Sequence, residues 1–121
     1  MIKEKNTNNL YLKEIFISAL SKIEKEENWT KIWRARNSRN LAMNARDSEA
    51  VKFSIDGALI RALFDRNLSD ENNPTYIECF KILEKNCSLN SKGDKRFLEF
   101  NDNKNYQDIV KIYQKIIDSL K

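Results

Sequence analysis

Apolar side chains recur at helical spacing in four stretches of the chain, and this pattern predicts an all-α fold. The stretches cover residues 9–26, 48–66, 74–86 and 105–120. We expect them to form a compact single-domain bundle of four main helices, joined by short helical turns. Residues 1–8 are polar, and we expect them to be a flexible N-terminus.

The second stretch carries two apolar stripes instead of one. A helix at the surface normally has a single apolar face, so two stripes predict a helix in the middle of the fold. The narrow stripe consists of Phe53, Ile60 and Phe64. If helices of the same chain do not cover this stripe, we expect it to form a homodimer interface, because exposed apolar patches usually mark interfaces.

The expected N-cap of this central helix is Asp47 or Ser48. Gly57 lies in the helix interior, where glycine costs up to about 1 kcal/mol relative to alanine. Together with Ala58 and Ala62 it forms a small-residue face. We interpret this face as close packing against another helix; the alternative is that a ligand approaches the backbone there.

Two later helix starts have strong local signals. Asn73 followed by Pro74 predicts a helix start, because proline is favoured at the first helical position. Asn105 is the expected cap of the last helix, with Asp108 in its first turn. Asn101 and Asp102, just before it, are expected to form a turn.

Composition excludes many familiar catalytic devices. The chain has 121 residues, no histidine and two cysteines, which removes Ser-His and Cys-His pairs, His-ligated metals and a structural zinc site. Its two glycines are far apart, so they form no phosphate-binding loop. We expect no catalytic residue, no metal and no cofactor.

The expected location is the cytoplasm, without contact to a membrane. No apolar run approaches the roughly 18 residues of a membrane span, and residues 1–9 lack the apolar core of a secretory signal. Cys79 and Cys87 are eight positions apart on one predicted helix, roughly 12 Å along its axis, which is too far for a disulfide. We expect them to be free thiols in the core, which suits a reducing compartment.

The basic character of the protein is concentrated in residues 28–46, which we call the basic segment. It contains no acidic residue and carries five positive charges, whereas the net charge of the whole chain is +4. Short helical pieces are expected over residues 30–35 and 38–43. Its tryptophans are Trp29 and Trp33, and its basic residues are Lys31, Arg34, Arg36, Arg39 and Arg46.

Two interpretations of the basic segment compete. In the first, Trp29, Ile32 and Trp33 turn inward and anchor a long connection, while the arginines are solvated or pair with nearby acids, Glu26, Glu27 and Asp47. In the second, the segment is an anion site for a nucleotide or nucleic acid, because guanidinium groups bind phosphate and an indole stacks on a base. The candidate ligand-binding residues are then Trp33, Arg34, Arg36, Arg39 and Arg46.

Three segments of the chain occur in a recognisable order: Trp29, the run AVKFSIDGALIRA (50–62) and the run FNDNKNYQDIVKIYQKIID (100–118). Together they resemble DUF6197, a family of small bacterial and phage proteins of unknown function. The Gly-Ala-Leu at 57–59 matches the middle element of the family. Residues 100–102 match its Trp-Asn-Asp stretch with Phe in place of Trp, and the Gly and Pro that usually follow are missing.

The resemblance implies a helical domain but no activity. It makes Asn101 and Asp102 candidate functional residues of a family motif; the alternative is that they cap and tie the last helix. We expect a small non-catalytic binding or regulatory protein, an accessory protein of a bacterium or phage. Its partner would be an anionic ligand such as a nucleotide, or a host protein. Alternatives are nucleic-acid binding through residues 31–46, and an enzyme that uses carboxylates or lysine.

Overall fold

Five α-helices and a two-stranded sheet make up the part of the chain that this computed structural model describes, residues 2–89 and 95–120. The helices are α1 (Ile2–Lys22), α2 (Ile55–Phe64), α3 (Pro74–Cys87), α4 (Arg96–Asp102) and α5 (Tyr106–Ser119), and a short 3₁₀ helix covers Glu26–Asn28. The strands β1 (Ala35–Arg36) and β2 (Lys52–Phe53) pair in antiparallel fashion, with Ala35 opposite Phe53. None of the described helices is both long enough and apolar enough to cross a bilayer.

The mainly helical class is confirmed, but a bundle of four main helices is not. Residues 96–102 form an additional helix, although a turn was expected at 101–102. The helical pieces expected over residues 30–35 and 38–43 are wrong, because these residues form bends, turns and the first strand. The first helix also begins earlier and ends earlier than expected, at Ile2 and Lys22.

Helix α2 is the central element, since eight of its ten residues are buried. It starts at Ile55, so the predicted start at residue 48 is wrong. Ser54 is the N-cap instead of Asp47 or Ser48, and its Oγ accepts a hydrogen bond from the Gly57 N–H at 3.1 Å.

Pairing with the basic segment keeps residues 51–54 out of the central helix. The Val51 N–H donates to the Arg36 carbonyl at 2.9 Å, and the Ser54 N–H donates to the Arg34 carbonyl at 3.1 Å. These backbone groups are satisfied by a distant part of the chain, so they do not enter a helical ladder.

The narrow apolar stripe is largely covered by the chain itself. Phe53 and Ile60 are buried, whereas Phe64 is 39% exposed. The guanidinium carbon of Arg61 lies 5.7 Å from the centre of the Phe64 ring and shields part of it. The condition for expecting a homodimer interface is therefore met only at Phe64.

The predicted starts of α3 and α5 are confirmed. The Asn73 side chain accepts a hydrogen bond from the Thr75 N–H at 2.8 Å, with Pro74 in the first helical position. Asn105 and Asp108 form a reciprocal capping box, in which each side chain accepts from the backbone N–H of the other.

The prediction that Cys79 and Cys87 are free, buried thiols is confirmed. Burial raises the pKa of Cys79 from its ordinary value of 9.0 to about 12, and Glu78 adds to the rise. Burial also raises the pKa of Cys87 to about 12, with Asp56 as the second cause. Both groups are therefore neutral thiols at physiological pH.

We expect neither cysteine to react with a thiol reagent such as 5,5′-dithiobis(2-nitrobenzoate) in the folded protein at pH 8. The thiolate is the attacking species, and raising the pKa by this much lowers its fraction by more than about a hundredfold. In denaturing urea both thiols should react rapidly. Fast labelling of the folded protein at pH 8 would contradict the buried placement of these two side chains.

Candidate functional site

The N-terminal end of α2 packs against the backbone of the basic segment. A Cβ atom built on Gly57 would lie 1.9 Å from the carbonyl oxygen of Arg34 and 2.9 Å from its carbonyl carbon. Glycine is required here because a main-chain carbonyl occupies the space of a side chain. The expectation that Gly57 faces another helix is therefore wrong, while its neighbours Ala58 and Ala62 are fully buried.

Two polar contacts fix Arg34 to the start of α2, and a third joins the two residues that it contacts. Its Nε donates to the Oδ2 of Asp56 at 2.7 Å, and its carbonyl accepts from the Ser54 N–H. The Ser54 hydroxyl donates to the Oδ1 of Asp56 at 2.6 Å. The Asp56 carboxylate is almost completely buried, and it is tolerated there because both of its oxygens have partners.

Asn101 joins the basic segment, α2 and α4. This side chain is fully buried, and its Oδ1 accepts from the Trp29 indole N–H at 2.7 Å and from the Ile55 N–H at 2.9 Å. Its Nδ2 donates to the Thr30 carbonyl at 2.9 Å. The amide therefore satisfies polar groups from two segments that lie far from it in sequence.

Asp102 holds the next part of the basic segment. Its Oδ1 accepts from the Ile32 N–H at 2.7 Å. Ile32 has a φ angle of 75°, a left-handed conformation that a β-branched residue rarely adopts. Ile32 and Trp33 are 62% and 51% exposed, so the expectation that they turn inward is wrong. Trp29 is turned inward as expected, with its indole N–H bonded to Asn101.

The exposed Ile32 and Trp33 line a cleft of about 880 Å³ between the basic segment, α2, α3 and α4. This volume lies in the range of small-molecule sites, roughly 300–1,000 Å³. The apolar part of the lining includes Met43, Ile60, Tyr76, Phe80, Phe97 and Leu98. The charged side chains of the lining are Arg34, Arg46, Lys95 and Arg96, with Asp56, Glu71, Glu99 and Asp102. Among the described residues of this lining, basic and acidic side chains are equal in number, so local contacts decide what charge a ligand meets.

The structure brings three of the five predicted ligand-binding residues to this cleft. They are Trp33, Arg34 and Arg46, whereas Arg36 and Arg39 do not line it. The anion-site interpretation required all five side chains to form a single cluster, and they do not.

Most arginines of the basic segment donate to groups of the chain itself. Arg36 donates through Nε to the Thr30 hydroxyl at 2.9 Å and through Nη1 to the Asn40 carbonyl at 2.8 Å. Arg46 donates through Nη2 to the Ser69 carbonyl at 2.8 Å. The charge of Arg34 is paired with the Asp56 carboxylate. Arg36 and Arg46 bond to neutral groups and keep their charges, but fewer of their N–H groups are open to a nucleic-acid backbone.

The walls from α3 and α4 were not identified from the sequence. Tyr76 lies within hydrogen-bonding reach of Arg46, and burial raises the pKa of Tyr76, helped by Glu71 and opposed by Arg46. The hydroxyl is therefore protonated at neutral pH and available as a donor or acceptor. Arg96 pairs with Glu84 at 3.0 Å. The only sequence signal for these walls was the apolar spacing of the two helices.

The two aspartates of the cleft, Asp56 and Asp102, each accept hydrogen bonds from the chain. Such contacts suit carboxylates that hold the structure together. Among residues 2–89 and 95–120, no three His, Cys, Asp or Glu side chains are arranged to hold a metal ion.

Comparison with protein-family models, with curated proteins and with solved structures found no match for this chain.

Proposed function

We propose that this protein is a non-catalytic binding protein, and that its ligand occupies the cleft and combines a flat ring with an anionic group, as a nucleotide does. The observation that carries the proposal is the convergence of Trp33 and Arg46, both from the basic segment, on a cleft lined by the aromatic rings of Tyr76, Phe80 and Phe97.

Trp33 supports the ring-binding part of this proposal. Half of this large side chain is exposed. The other tryptophan, Trp29, is turned inward instead and donates a hydrogen bond to Asn101. Stacking of a flat ring on an exposed indole contributes about 1–3 kcal/mol to the binding free energy, and this contribution depends little on which nucleobase stacks. The apolar lining of the cleft supplies further contact area for the same ring.

Arg46 supports the anionic part. Its Nη2 donates to a neutral group, the Ser69 carbonyl, and the Tyr76 hydroxyl lies nearby. By contrast, the charges of Arg34 and Arg96 are paired with Asp56 and Glu84. Arg46 therefore keeps a positive charge available at the cleft, beside a tyrosine hydroxyl that can share in binding a phosphate.

The test is a titration of the protein with adenosine and guanosine monophosphates and with the two matching nucleosides, followed by calorimetry. We expect the nucleotides to bind more tightly than the nucleosides. Trp33→Ala should weaken binding of both kinds of ligand about tenfold, because it removes the stacking surface. Arg46→Gln should remove the preference for the phosphate-bearing ligands.

Two variants of the basic segment are matched controls. Leu41→Ala removes a side chain that is 55% exposed, similar to Trp33, and Arg39→Gln removes the same charge as Arg46→Gln. Neither residue lines the cleft. Equal losses in the controls, or no binding of any nucleotide to the unmodified protein, would overturn the proposal.

The resemblance to DUF6197 also becomes a proposal, namely that the chain belongs to this family. Its support is that the segments that carry the resemblance meet around Asn101, which bonds to the Trp29 indole and to the Ile55 N–H. Membership would add no activity. A cytoplasmic location is likewise proposed, because buried free thiols suit a reducing compartment.

A further inference from the structure

We infer that Asp102 is the positioning residue that fixes Trp33 in the lining of the cleft. The inference rests on the proposed function only in so far as Trp33 contacts a ligand. The placement of Trp33 itself is a property of the ligand-free protein.

The hydrogen bond between Asp102 and Ile32 holds the backbone next to Trp33. Ile32 adopts a left-handed conformation, with φ of 75°, next to Trp33 in the chain. A branched side chain persists in this conformation only where the surrounding structure holds it. The Asp102 carboxylate supplies the hold, since its Oδ1 accepts from the Ile32 N–H at 2.7 Å.

Asn101 and Asp102 act on neighbouring points of the same backbone. Asn101 bonds to the Thr30 carbonyl, and Asp102 bonds to the Ile32 N–H two residues later. Between these two bonds the chain changes direction. Trp29 points toward the interior before them, and Trp33 is exposed after them.

The place of Asp102 in α4 excludes a simple helix-stabilising role. It is the last residue of α4, where the helix dipole presents its negative end. An acidic side chain there is unfavourable for the helix. The Asp102 Oδ1 also accepts from the Asn101 Nδ2 of the same helix, at 3.4 Å, but its short bond at 2.7 Å is the one to the Ile32 N–H. The stronger contact of the carboxylate is therefore with the basic segment.

The first experiment needs no ligand and compares Asp102→Ala with Glu99→Ala. Glu99 is the control because it is also on α4, lines the same cleft and loses the same charge. In Asp102→Ala, we expect the Ile32 amide to exchange with solvent about tenfold faster, which is the effect of losing a hydrogen bond to a charged group. Nuclear magnetic resonance measures this exchange, residue by residue.

The indole resonances report on the tryptophans directly. Asp102→Ala should shift or broaden the Trp33 indole signal and leave the Trp29 signal in place, because Asn101 still holds Trp29. A general loss of folded structure would move the indole signals of both Trp29 and Trp33. Trp33→Phe assigns the two resonances.

Rescue separates positioning from general stability. Asp102→Asn keeps a side-chain oxygen that accepts from the Ile32 N–H, so the Trp33 signal should stay near its original position. In the Asp102→Ala background, Ile32→Asn should return the signal toward that position, since asparagine adopts the left-handed conformation more readily.

Titration with adenosine monophosphate then links position to binding. If the nucleotide binds the unmodified protein, Asp102→Ala should weaken it about tenfold and Asp102→Asn only slightly. If it does not bind, the proposed function fails, while the ligand-free measurements still decide the role of Asp102. Unchanged Ile32 exchange and an unchanged Trp33 signal in Asp102→Ala, or equal changes in Glu99→Ala, would overturn the inference.

Discussion

Gly57→Ala should destabilise the folded protein by more than about 3 kcal/mol, at or beyond the upper end of the usual cost of overpacking. The added Cβ would lie 1.9 Å from the Arg34 carbonyl oxygen. That oxygen cannot move away freely, because it accepts from the Ser54 N–H and belongs to the residue that pairs with Asp56. We expect a thermal midpoint lower by roughly 10 °C, measured by circular dichroism.

The sign of this effect is what makes it informative. In a helix interior, replacing glycine by alanine normally stabilises by about 1 kcal/mol, because alanine loses less backbone entropy. The close approach of Arg34 must therefore outweigh a favourable change at Gly57. A thermal midpoint equal to or above that of the unmodified protein would mean that the basic segment does not lie against α2.

Asn101→Ala should cost about 3–5 kcal/mol of folding free energy, the sum expected when several buried polar groups lose their partners together. It removes the acceptor of the Trp29 indole N–H and of the Ile55 N–H, and the donor to the Thr30 carbonyl. Urea unfolding followed by tryptophan fluorescence measures the loss.

Two further variants test the assignment of this effect. Asn103→Ala is the matched control, because the exposed side chain of Asn103 donates to the Glu99 carbonyl, and its loss should cost under about 1 kcal/mol. Asn101→Asp should be severe at neutral pH, where a buried carboxylate faces the Thr30 carbonyl, and milder in acid, where the protonated group donates to it. Equal stability of Asn101→Ala and Asn103→Ala would contradict the network.

Helix starts with a local signal could be predicted from the sequence. Asn73 and Asn105 cap N–H groups within three residues, and Pro74 occupies its helical position without any distant partner. The information is contained in a few adjacent residues, so a sequence pattern carries it.

The start of α2 could not be predicted, because a distant segment decides it. Apolar spacing continues through Ala50 and Val51, and Asp47 is a good cap by type. Strand β2 nevertheless pairs with β1, and the helix begins only after Ser54. The same reason explains Gly57, whose neighbour is a carbonyl 23 residues earlier in the chain.

The candidate site was predicted in part. The basic segment was identified from its charge, and Trp33, Arg34 and Arg46 do line the cleft. Charge alone does not distinguish them from Arg36, which bonds to Thr30 and Asn40 instead. Nor does sequence spacing indicate which tryptophan is exposed, since that depends on the contacts of Asn101 and Asp102 with residues some seventy positions away.

The long sequence separation between Asn101 and its hydrogen-bond partners affects the order of folding during translation. Its partners Trp29 and Thr30 precede it by 72 and 71 positions, so they leave the ribosome long before it does. Until α4 emerges, the Trp29 indole N–H and the Thr30 carbonyl are hydrated, and the Ile32 N–H next to Trp33 lacks its Asp102 partner. Contacts between such distant residues form late because the closure entropy of the intervening chain must be overcome first. The cleft is thus completed only after α4 has been translated, and a nascent chain halted before α4 lacks it.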